Sequence, residues 1–108
     1  MNTVILLGRA GKDPETRSFE SGAAKASFSL ATTETFKSQN GERKEVTTWH
    51  NIVAWNKTAT FISKFVKKGD LVTVTGKINN TSYQNQAGEK VYTSEIIVED
   101  FRIVNSKS

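Results

Sequence analysis

Cysteine is missing from the 108 residues of this chain, and this absence excludes both a disulfide framework and thiolate metal sites. It is compatible with a protein from a reducing compartment. Long apolar runs are missing too, because the run from Val4 to Leu7 is followed at once by Gly8 and Arg9. The sequence therefore predicts neither a transmembrane helix nor a secretory signal, and we expect a soluble, cytoplasmic protein.

Signatures of catalysis are equally scarce. His50 is the only histidine, and the adjacent acids Glu99 and Asp100 would point to opposite faces of a strand, which is poor geometry for acid and base work. No glycine-rich phosphate loop, metal-ligand spacing or nucleophile motif occurs. We therefore expect a protein that is not an enzyme and that has no metal site and no cofactor.

The charge balance is the first positive signal. Its 15 Lys and Arg residues against 11 Asp and Glu give a net charge of +4 at pH 7, which favours an anionic partner such as nucleic acid. Small domains also carry such a charge for solubility alone, so composition leaves both interpretations open. The length predicts a single domain, residues 1–105, followed by a short end at residues 106–108.

The stretch from Thr47 to Trp55, TTWHNIVAW, is the one around which we expect the chain to be organised. Its alternation is typical of a strand, with Trp49 and Trp55 on one face and His50 on the other. The two indoles, roughly 20 Å apart at about 3.3 Å per residue, form either a core layer or a stacking platform for flat ligands. The polar Asn51 on their face favours stacking.

Four further strands are predicted, at residues 3–9, 24–36, 71–78 and 91–104, with polar hairpin loops at 37–45 and 84–90. Gly76 marks a bulge or bend. One helix is predicted after Asn56 as its N-cap, ending at Gly69 with Lys67 and Lys68 in the last turn. Five long strands with a helix between the third and the fourth are the pattern of a five-stranded Greek-key barrel, the OB-fold.

The aromatic residues divide into two groups. The pattern predicts Phe28, Phe61, Phe65 and Phe101 as core. Phe36 and Tyr83 lie at strand ends beside the polar loops, where core and stacking stay open. Any single surface lysine is most simply a solvated side chain, but a cluster can follow a phosphate backbone. The basic residues that we expect along such a groove are Lys37, Arg43, Lys44, Lys57, Lys67, Lys68, Lys77 and Lys90.

Five segments, in order, carry a resemblance to a known family: VILLGRAGKDPETR, FESGAAKASFSLAT, TTWHNIVAW, KKGDLVTVTGKI and GEKVYTSEIIVE. Over nearly its whole length the chain resembles the bacterial-type single-stranded DNA-binding proteins. The resemblance implies an OB-fold that assembles as a homotetramer and protects single-stranded DNA in replication, recombination and repair, in the cytoplasm on the nucleoid. The residues that it implies are base-stacking Phe36, Trp49, Trp55 and Tyr83, basic Lys57, Lys67 and Lys68, and His50 near a subunit contact.

The chain departs from the pattern of that family at several positions. Phe36 and Tyr83 stand where the best-known members have Trp, and Trp55 stands where they have Phe, so stacking is kept. Residues 79–82 are Asn-Asn-Thr-Ser. In well-known members of the family this stretch is rich in Arg and Lys. We therefore expect weaker binding and a shallower salt dependence, which Lys25 partly offsets.

The linker and acidic tail through which the family recruits replication and repair proteins do not follow Ser108. The sequence is expected to be either the binding core of a longer chain or a naturally short paralogue. Two rival functions stay open. One is an OB-fold protein-interaction module, such as a primosome accessory subunit, which the lack of basic residues at 79–82 favours. The other is an RNA-binding OB domain.

Overall fold

Six strands and one helix form the fold of residues 1–105. The structure, a computed structural model, describes residues 1–105, and the short C-terminal end predicted at residues 106–108 lies outside this range. The elements are β1 (Val4–Ala10), β2 (Glu15–Ser18), β3 (Ala24–Lys37), β4 (Arg43–Trp55), α1 (Asn56–Phe65), β5 (Leu71–Gln84) and β6 (Lys90–Asn105). The predicted helix between the third and fourth long strands is confirmed, and β2 is an additional short strand.

The long strands close into a barrel. Along the sheet the order is β1, β5, β6, β4, β3, β2, and β1 also pairs with β3, since Arg9 lies opposite Ala31 and Ala10 opposite Leu30. The strands β4 and β6 run parallel to each other, whereas the other pairs are antiparallel. The strand β2 stays outside the barrel on the edge of β3. The predicted five-stranded Greek-key OB-fold is confirmed.

Every second residue along the strands points into the barrel, and these residues fill its interior. On β3 these are Ala26, Phe28 and Leu30, which are at most 3% exposed. The predicted bulge lies between Thr75 and Gly76, where a Cβ on the glycine would come within 2.1 Å of the Ile97 carbonyl oxygen. The remaining apolar residues of the core are Ala10, Ile52, Ala54, Ala59, Ile62, Val66, Val72, Val74 and Ile96.

The helix is shorter than predicted at its C-terminal end. It ends at Phe65, and the backbone N–H of Val66 bonds to the Ile62 carbonyl oxygen at 3.0 Å. The next residue, Lys67, lies in a turn in which its N–H bonds to the carboxylate of the buried Asp70 at 2.9 Å. Lys67 and Lys68 therefore lie beyond the helix. No helix within residues 1–105 has the length and apolar character to cross a membrane.

The predicted N-cap role of Asn56 is wrong. Trp55, in extended conformation, is the N-cap residue and makes no side-chain cap bond, while Asn56 adopts a positive φ of 56°. The Oδ1 atom of Asn56 instead accepts a hydrogen bond from the backbone N–H of Ala24 at 3.4 Å. Asn56 therefore fastens the start of the helix to the start of β3.

Two of the four predicted core phenylalanines are exposed. Phe28 is buried and Phe101 half-buried, but Phe61 and Phe65 are 41% and 54% exposed. The buried stripe of α1 runs through Ala59 and Ile62, so Phe61 and Phe65 lie to one side of it. They contact each other, with ring centroids 5.0 Å apart, and Phe61 also contacts Phe101 edge to face at 6.2 Å.

Two hairpin arms extend the barrel sheet. The first arm is the outer part of the β3–β4 hairpin, residues 32–48, and the second arm is that of the β5–β6 hairpin, residues 79–95; most of their residues are exposed. Their turns contain Gly41 and Gly88, with φ of 85° and 82°. Both predicted polar hairpin loops are thereby confirmed.

Candidate nucleic-acid interface

The two tryptophans of β4 lie on the outside of the barrel. Ile52 and Ala54 point into the core, whereas Trp49, Asn51 and Trp55 point away from it. We call the side of the sheet that carries these three residues the outer face. Trp49 is 61% exposed and Trp55 is 40% exposed. The indoles are therefore surface groups, and the core alternative is wrong for both.

Trp49 lies in a concave site beside two cations. Its ring rests against Gly11, where a Cβ would lie 2.4 Å from the Trp49 Cζ3 atom. Ala31 lies opposite Trp49 on β3, and Arg9 lies opposite Ala31 on β1. Lys68 lines the same concavity. A flat ring on this indole would therefore have an arginine and a lysine within reach.

Arg9 is held by its own hydrogen bond, since Nη1 donates to the Gly69 carbonyl oxygen at 2.9 Å. The loop that carries Lys68 is also fixed, because the Lys68 N–H bonds to the Asp13 carboxylate at 2.8 Å. These contacts tie the loop after α1 to β1 and the segment that follows it. The cations beside Trp49 are thus presented by an ordered backbone.

Trp55 has aromatic and cationic neighbours of its own. The ring of Phe19 stacks on it with centroids 6.0 Å apart and planes inclined by 28°. The Nζ atom of Lys25 lies 5.6 Å from the Trp55 ring centroid. Phe19 was not predicted from the sequence, since it lies in a turn outside any alternating pattern. Lys25 is expected from the sequence to offset part of the charge missing at residues 79–82, but its position over an indole was not predicted.

Between the two tryptophans the outer face carries short side chains in a concavity that Lys12, Lys25 and Glu95 also line. Ser27 and Ser29 of β3 lie opposite Val53 and Asn51 of β4, and Asn51 donates from Nδ2 to the Ser94 carbonyl oxygen at 3.4 Å. None of the short side chains rises above the sheet as the indoles do. A chain of nucleotides could therefore cross from one indole to the other.

Tyr83 shares the outer face. Ile52 of β4 and Ile96 of β6 are partners and both are buried, so Glu95, one position before Ile96, points outward. Glu95 and Val91 lie on the same side of β6, and Val91 is the partner of Tyr83 on the second arm. Three of the four predicted stacking residues, Trp49, Trp55 and Tyr83, therefore lie on one face of the sheet.

Phe36 is not brought together with them. It shares its side of the first arm with Leu30 and with its own partner Lys44, whereas Lys37 shares the side of Trp49. The Phe36 ring is exposed but projects from the opposite face. A nucleic-acid strand that contacts both Phe36 and Trp49 has to pass around the twisted first arm.

The predicted basic residues likewise divide between the two faces. Lys90 lies over Tyr92 at 5.5 Å, on the side of the second arm opposite to Tyr83. Lys44 is on the side of Phe36, and Lys67 is in the turn after the helix. Lys57 follows Trp55 in the first turn of α1. Those that the register and the concavity place on or beside the outer face are Lys37, Arg43, Lys68 and Lys77.

His50 faces away from the indoles, as predicted. It is half-buried, and its Nε2 atom lies 2.9 Å from the Thr32 hydroxyl. This contact joins β3 and β4 where the first arm leaves the barrel. Among the described residues, no group of three or more His, Cys, Asp or Glu side chains is arranged to hold a metal ion.

The family model of the single-strand binding proteins matches residues 1–104. The chain belongs to this single-strand binding protein family. Its relatives include the single-stranded DNA-binding protein of Streptococcus pneumoniae, 44% identical over 108 residues, with 100% of this chain and 68% of the relative covered. The single-stranded DNA-binding protein of Enterococcus faecalis is 40% identical, and the match covers 100% of this chain and 56% of that protein. This chain thus spans between about half and two thirds of these relatives.

A solved structure of the same family has the same fold. The Plasmodium falciparum SSB in complex with ssDNA is 30% identical and superposes with a TM-score of 0.90, covering 97% of this chain and 96% of that chain. The family membership and this superposition confirm the expected resemblance. They do not address single residues, so the roles of the aromatic and basic side chains rest on the geometry described above.

Proposed function

We propose that this chain binds single-stranded DNA along the outer face without sequence preference, as a non-catalytic protein. The observation that carries the proposal is the pair of exposed indoles, Trp49 and Trp55, on one sheet face, each in line with a cation across the neighbouring strands. Membership of the single-strand binding protein family supports it. Bases would stack on the rings, and the cations would neutralise the phosphates between them.

The proposed stacking residues are Trp49, Trp55 and Tyr83 on the outer face and Phe36 on the other side of the first arm. Stacking of a base on an aromatic ring contributes about 1–3 kcal/mol, a magnitude established on proteins of this same kind, and it tolerates any base because every base has a π-face. Phe36 would be reached by longer strands that pass around the arm.

The phosphates would be held mainly on the β1 and β3 side of the outer face. Arg9, Lys25 and Lys68 lie there, beside the two indoles. The second arm offers Asn79 and Thr81 in the corresponding positions beside Tyr83. We therefore propose that fewer phosphates are neutralised along the second arm, which lowers the salt dependence of binding.

We propose further that the chain assembles with copies of itself, as a homotetramer. Within residues 1–105, β1 pairs with β3 only through Arg9 and Ala10, so one edge of residues 4–8 has no strand beside it. Ile5 and Leu7 on this strand are 74% and 57% exposed. An open edge with apolar side chains is suited to strand addition by a second copy. His50 is proposed to lie near a subunit contact.

The proposed biological setting is the protection of exposed strands in replication, recombination and repair, on the nucleoid in the cytoplasm. Several stacking sites on several subunits would add their affinities along one strand, because each further contact is intramolecular. Replication and repair proteins are proposed as further partners where the native chain continues beyond Ser108.

Quenching of tryptophan fluorescence tests the proposal directly. An unstructured thymidine oligonucleotide is titrated into the protein at low and at high salt, with duplex DNA and an RNA oligonucleotide of the same length as comparisons. We expect strong quenching by the single DNA strand, weak quenching by the duplex, and an affinity that falls as salt rises. An equal affinity for the RNA oligonucleotide would show that the protein does not prefer DNA to RNA.

A protein-interaction module is the second candidate, and the exposed Phe61 and Phe65 of α1 favour it, together with the uncharged residues 79–82. Under this alternative these exposed aromatic side chains of α1 and the outer face would contact a protein, and DNA affinity would be residual. Absence of both quenching and binding at low salt would contradict the proposed function and favour the module.

A further inference from the structure

Phe19 and Trp55 form a pair of rings on the outer face. Their centroids are 6.0 Å apart and their planes are inclined by 28°, an offset arrangement that is typical of stacked aromatic side chains. Phe19 lies in the turn between β2 and β3. This turn is fixed by two backbone hydrogen bonds, from Phe19 N–H to the Ala23 carbonyl at 2.9 Å and from Gly22 N–H to the Phe19 carbonyl at 2.9 Å. The ring is therefore presented by an ordered segment.

Two cations complete the surroundings of this ring pair. Arg17 of β2 lies opposite Lys25 of β3, and Lys25 lies opposite Trp55 of β4. Directly opposite residues of antiparallel strands share a face, with Cβ atoms about 4.5–5.5 Å apart. The three side chains thus form a row across the outer face. The strand β2, which lies outside the barrel, supplies the first of them.

The exposure of the rings shows how the pair can be used. A phenylalanine that covered the indole would leave little of the indole accessible, but Trp55 is 40% exposed and Phe19 is 39% exposed. Both rings of this stacked pair therefore keep a free surface against which a base can lie. Such a surface, with two cations in line, matches a nucleotide with its base flat and its phosphate beside it.

We propose that Phe19 is a fifth stacking residue for single-stranded DNA, which forms one platform with Trp55, and that Arg17 and Lys25 contact the phosphate of the nucleotide bound there. The proposal rests on the proposed function and adds to it a subsite at the end of the outer face nearest β2. Because the turn is already ordered, little conformational freedom is lost when the base binds.

The test compares three variants at one position in the full chain: Phe19→Ala, Phe19→Leu and Phe19→Tyr. Affinity for a fluorescein-labelled thymidine oligonucleotide is measured by anisotropy at low salt. We expect the alanine and leucine variants to bind about five- to tenfold more weakly, the lower part of the range for loss of one stacked base, and the tyrosine variant to bind as the unchanged chain does. Thermal melting confirms that each variant is folded.

A matched control is Phe65→Ala, which removes an exposed ring from α1 and is expected to leave affinity unchanged. A second readout uses fluorescence. In a Trp49→Phe background, Trp55 is the only tryptophan, so its quenching by the oligonucleotide reports on the platform itself. In this background we expect the quenching to persist in Phe19→Tyr and to weaken in Phe19→Leu.

Several outcomes would overturn the proposal. Normal affinity of Phe19→Leu would mean that apolar contact with Trp55 is sufficient, and tighter binding of Phe19→Ala would mean that the ring covers the indole. An equal loss of affinity in Phe65→Ala would show that the loss in the Phe19 variants does not depend on the position of the ring on the outer face. Failure of the unchanged chain to bind the oligonucleotide would instead contradict the proposed function, so the two failures are distinguishable.

Discussion

Trp49 and Trp55 are exposed on a folded sheet, and this separates their role in binding from any role in stability. Their side chains lie outside the buried core cluster. We predict that Trp49→Ala and Trp55→Ala each weaken binding of single-stranded DNA by about 1–3 kcal/mol, with little change in the free energy of unfolding. Titration calorimetry and thermal melting check the two quantities. Unfolding of both variants would instead show that the indoles are needed for the stability of the fold.

Gly11 is the residue on which the position of the Trp49 ring depends. A Cβ at this position would lie 2.4 Å from the Trp49 Cζ3 atom and 3.1 Å from Cη2, so the ring has to move. We predict that Gly11→Ala weakens DNA binding because the indole is displaced from the concavity that contains Arg9 and Lys68. Anisotropy titration with a thymidine oligonucleotide measures the loss.

A double-mutant cycle tests this coupling between Gly11 and Trp49. In a Trp49→Ala background the added methyl group has no ring to displace, so Gly11→Ala should then have almost no further effect on affinity. Additive losses in the double variant would show that the glycine acts independently of the indole, for example through its backbone bond to the Ser29 carbonyl oxygen at 2.7 Å.

Among the elements, the second arm offers two tyrosines on opposite faces. Tyr83 lies on the outer face, and Tyr92, the partner of Ser82, lies on the other; both are exposed. We predict that Tyr83→Ala weakens binding of a thymidine oligonucleotide by about 1–3 kcal/mol, whereas Tyr92→Ala changes it little. Anisotropy titrations of both variants provide the comparison. Equal losses would show that bound DNA contacts both sides of the arm.

The helix also shows how an element can differ from its local pattern. The 3.6-residue pattern of α1 marked Phe61 and Phe65 as buried, but the barrel covers the neighbouring stripe through Ala59 and Ile62. A helix pattern defines a stripe of apolar residues that is wider than the contact, and the position of the helix on the sheet decides which part of it is covered.

For the whole molecule, the number of phosphates neutralised decides the salt dependence. On single strands each neutralised phosphate contributes a slope of about −0.7 in a plot of log affinity against log salt. We predict that Arg9→Ala and Lys68→Ala each reduce the steepness by about 0.7. The exposed Lys64 of α1 is the control, and Lys64→Ala should leave the slope unchanged. The same reduction in all three variants would indicate a general effect of net charge.

Assembly is the second property of the whole molecule that the structure makes testable. We predict that the double variant Ile5→Glu, Leu7→Glu has a lower mass in solution than the unchanged chain, because it introduces charge at the open edge of β1. Size-exclusion chromatography with light scattering measures the mass. The matched variant Phe65→Glu places a charge on α1 and should keep the mass. Dissociation by Phe65→Glu alone would place the contact on the helix.

Most of the elements, and the placement of the two indoles on one face of their strand, follow from the sequence alone. Alternation along residues 47–55 is a local property of an extended chain, because successive side chains point to opposite sides whatever the strand pairs with. The turn glycines Gly41 and Gly88 are likewise local, since both have a positive φ that a residue without a Cβ adopts readily. The glycine at the Gly76 bulge shows in the sequence, but its reason is tertiary, because a Cβ there would meet the Ile97 carbonyl oxygen of β6. The five-stranded barrel followed from these elements and from the position of the helix among them.

Contacts between side chains of different strands, in contrast, became visible in the folded chain. The pairing of β1 and β4 with β3 brings Arg9 into the concavity that Trp49 lines, and the pairing of β2 and β4 with β3 brings Phe19 against Trp55. The separation of Phe36 from Trp49 also depends on strand register, because a slip of one residue exchanges the two faces of a strand relative to its neighbour. Register is fixed by contacts between distant segments, so no local pattern contains it.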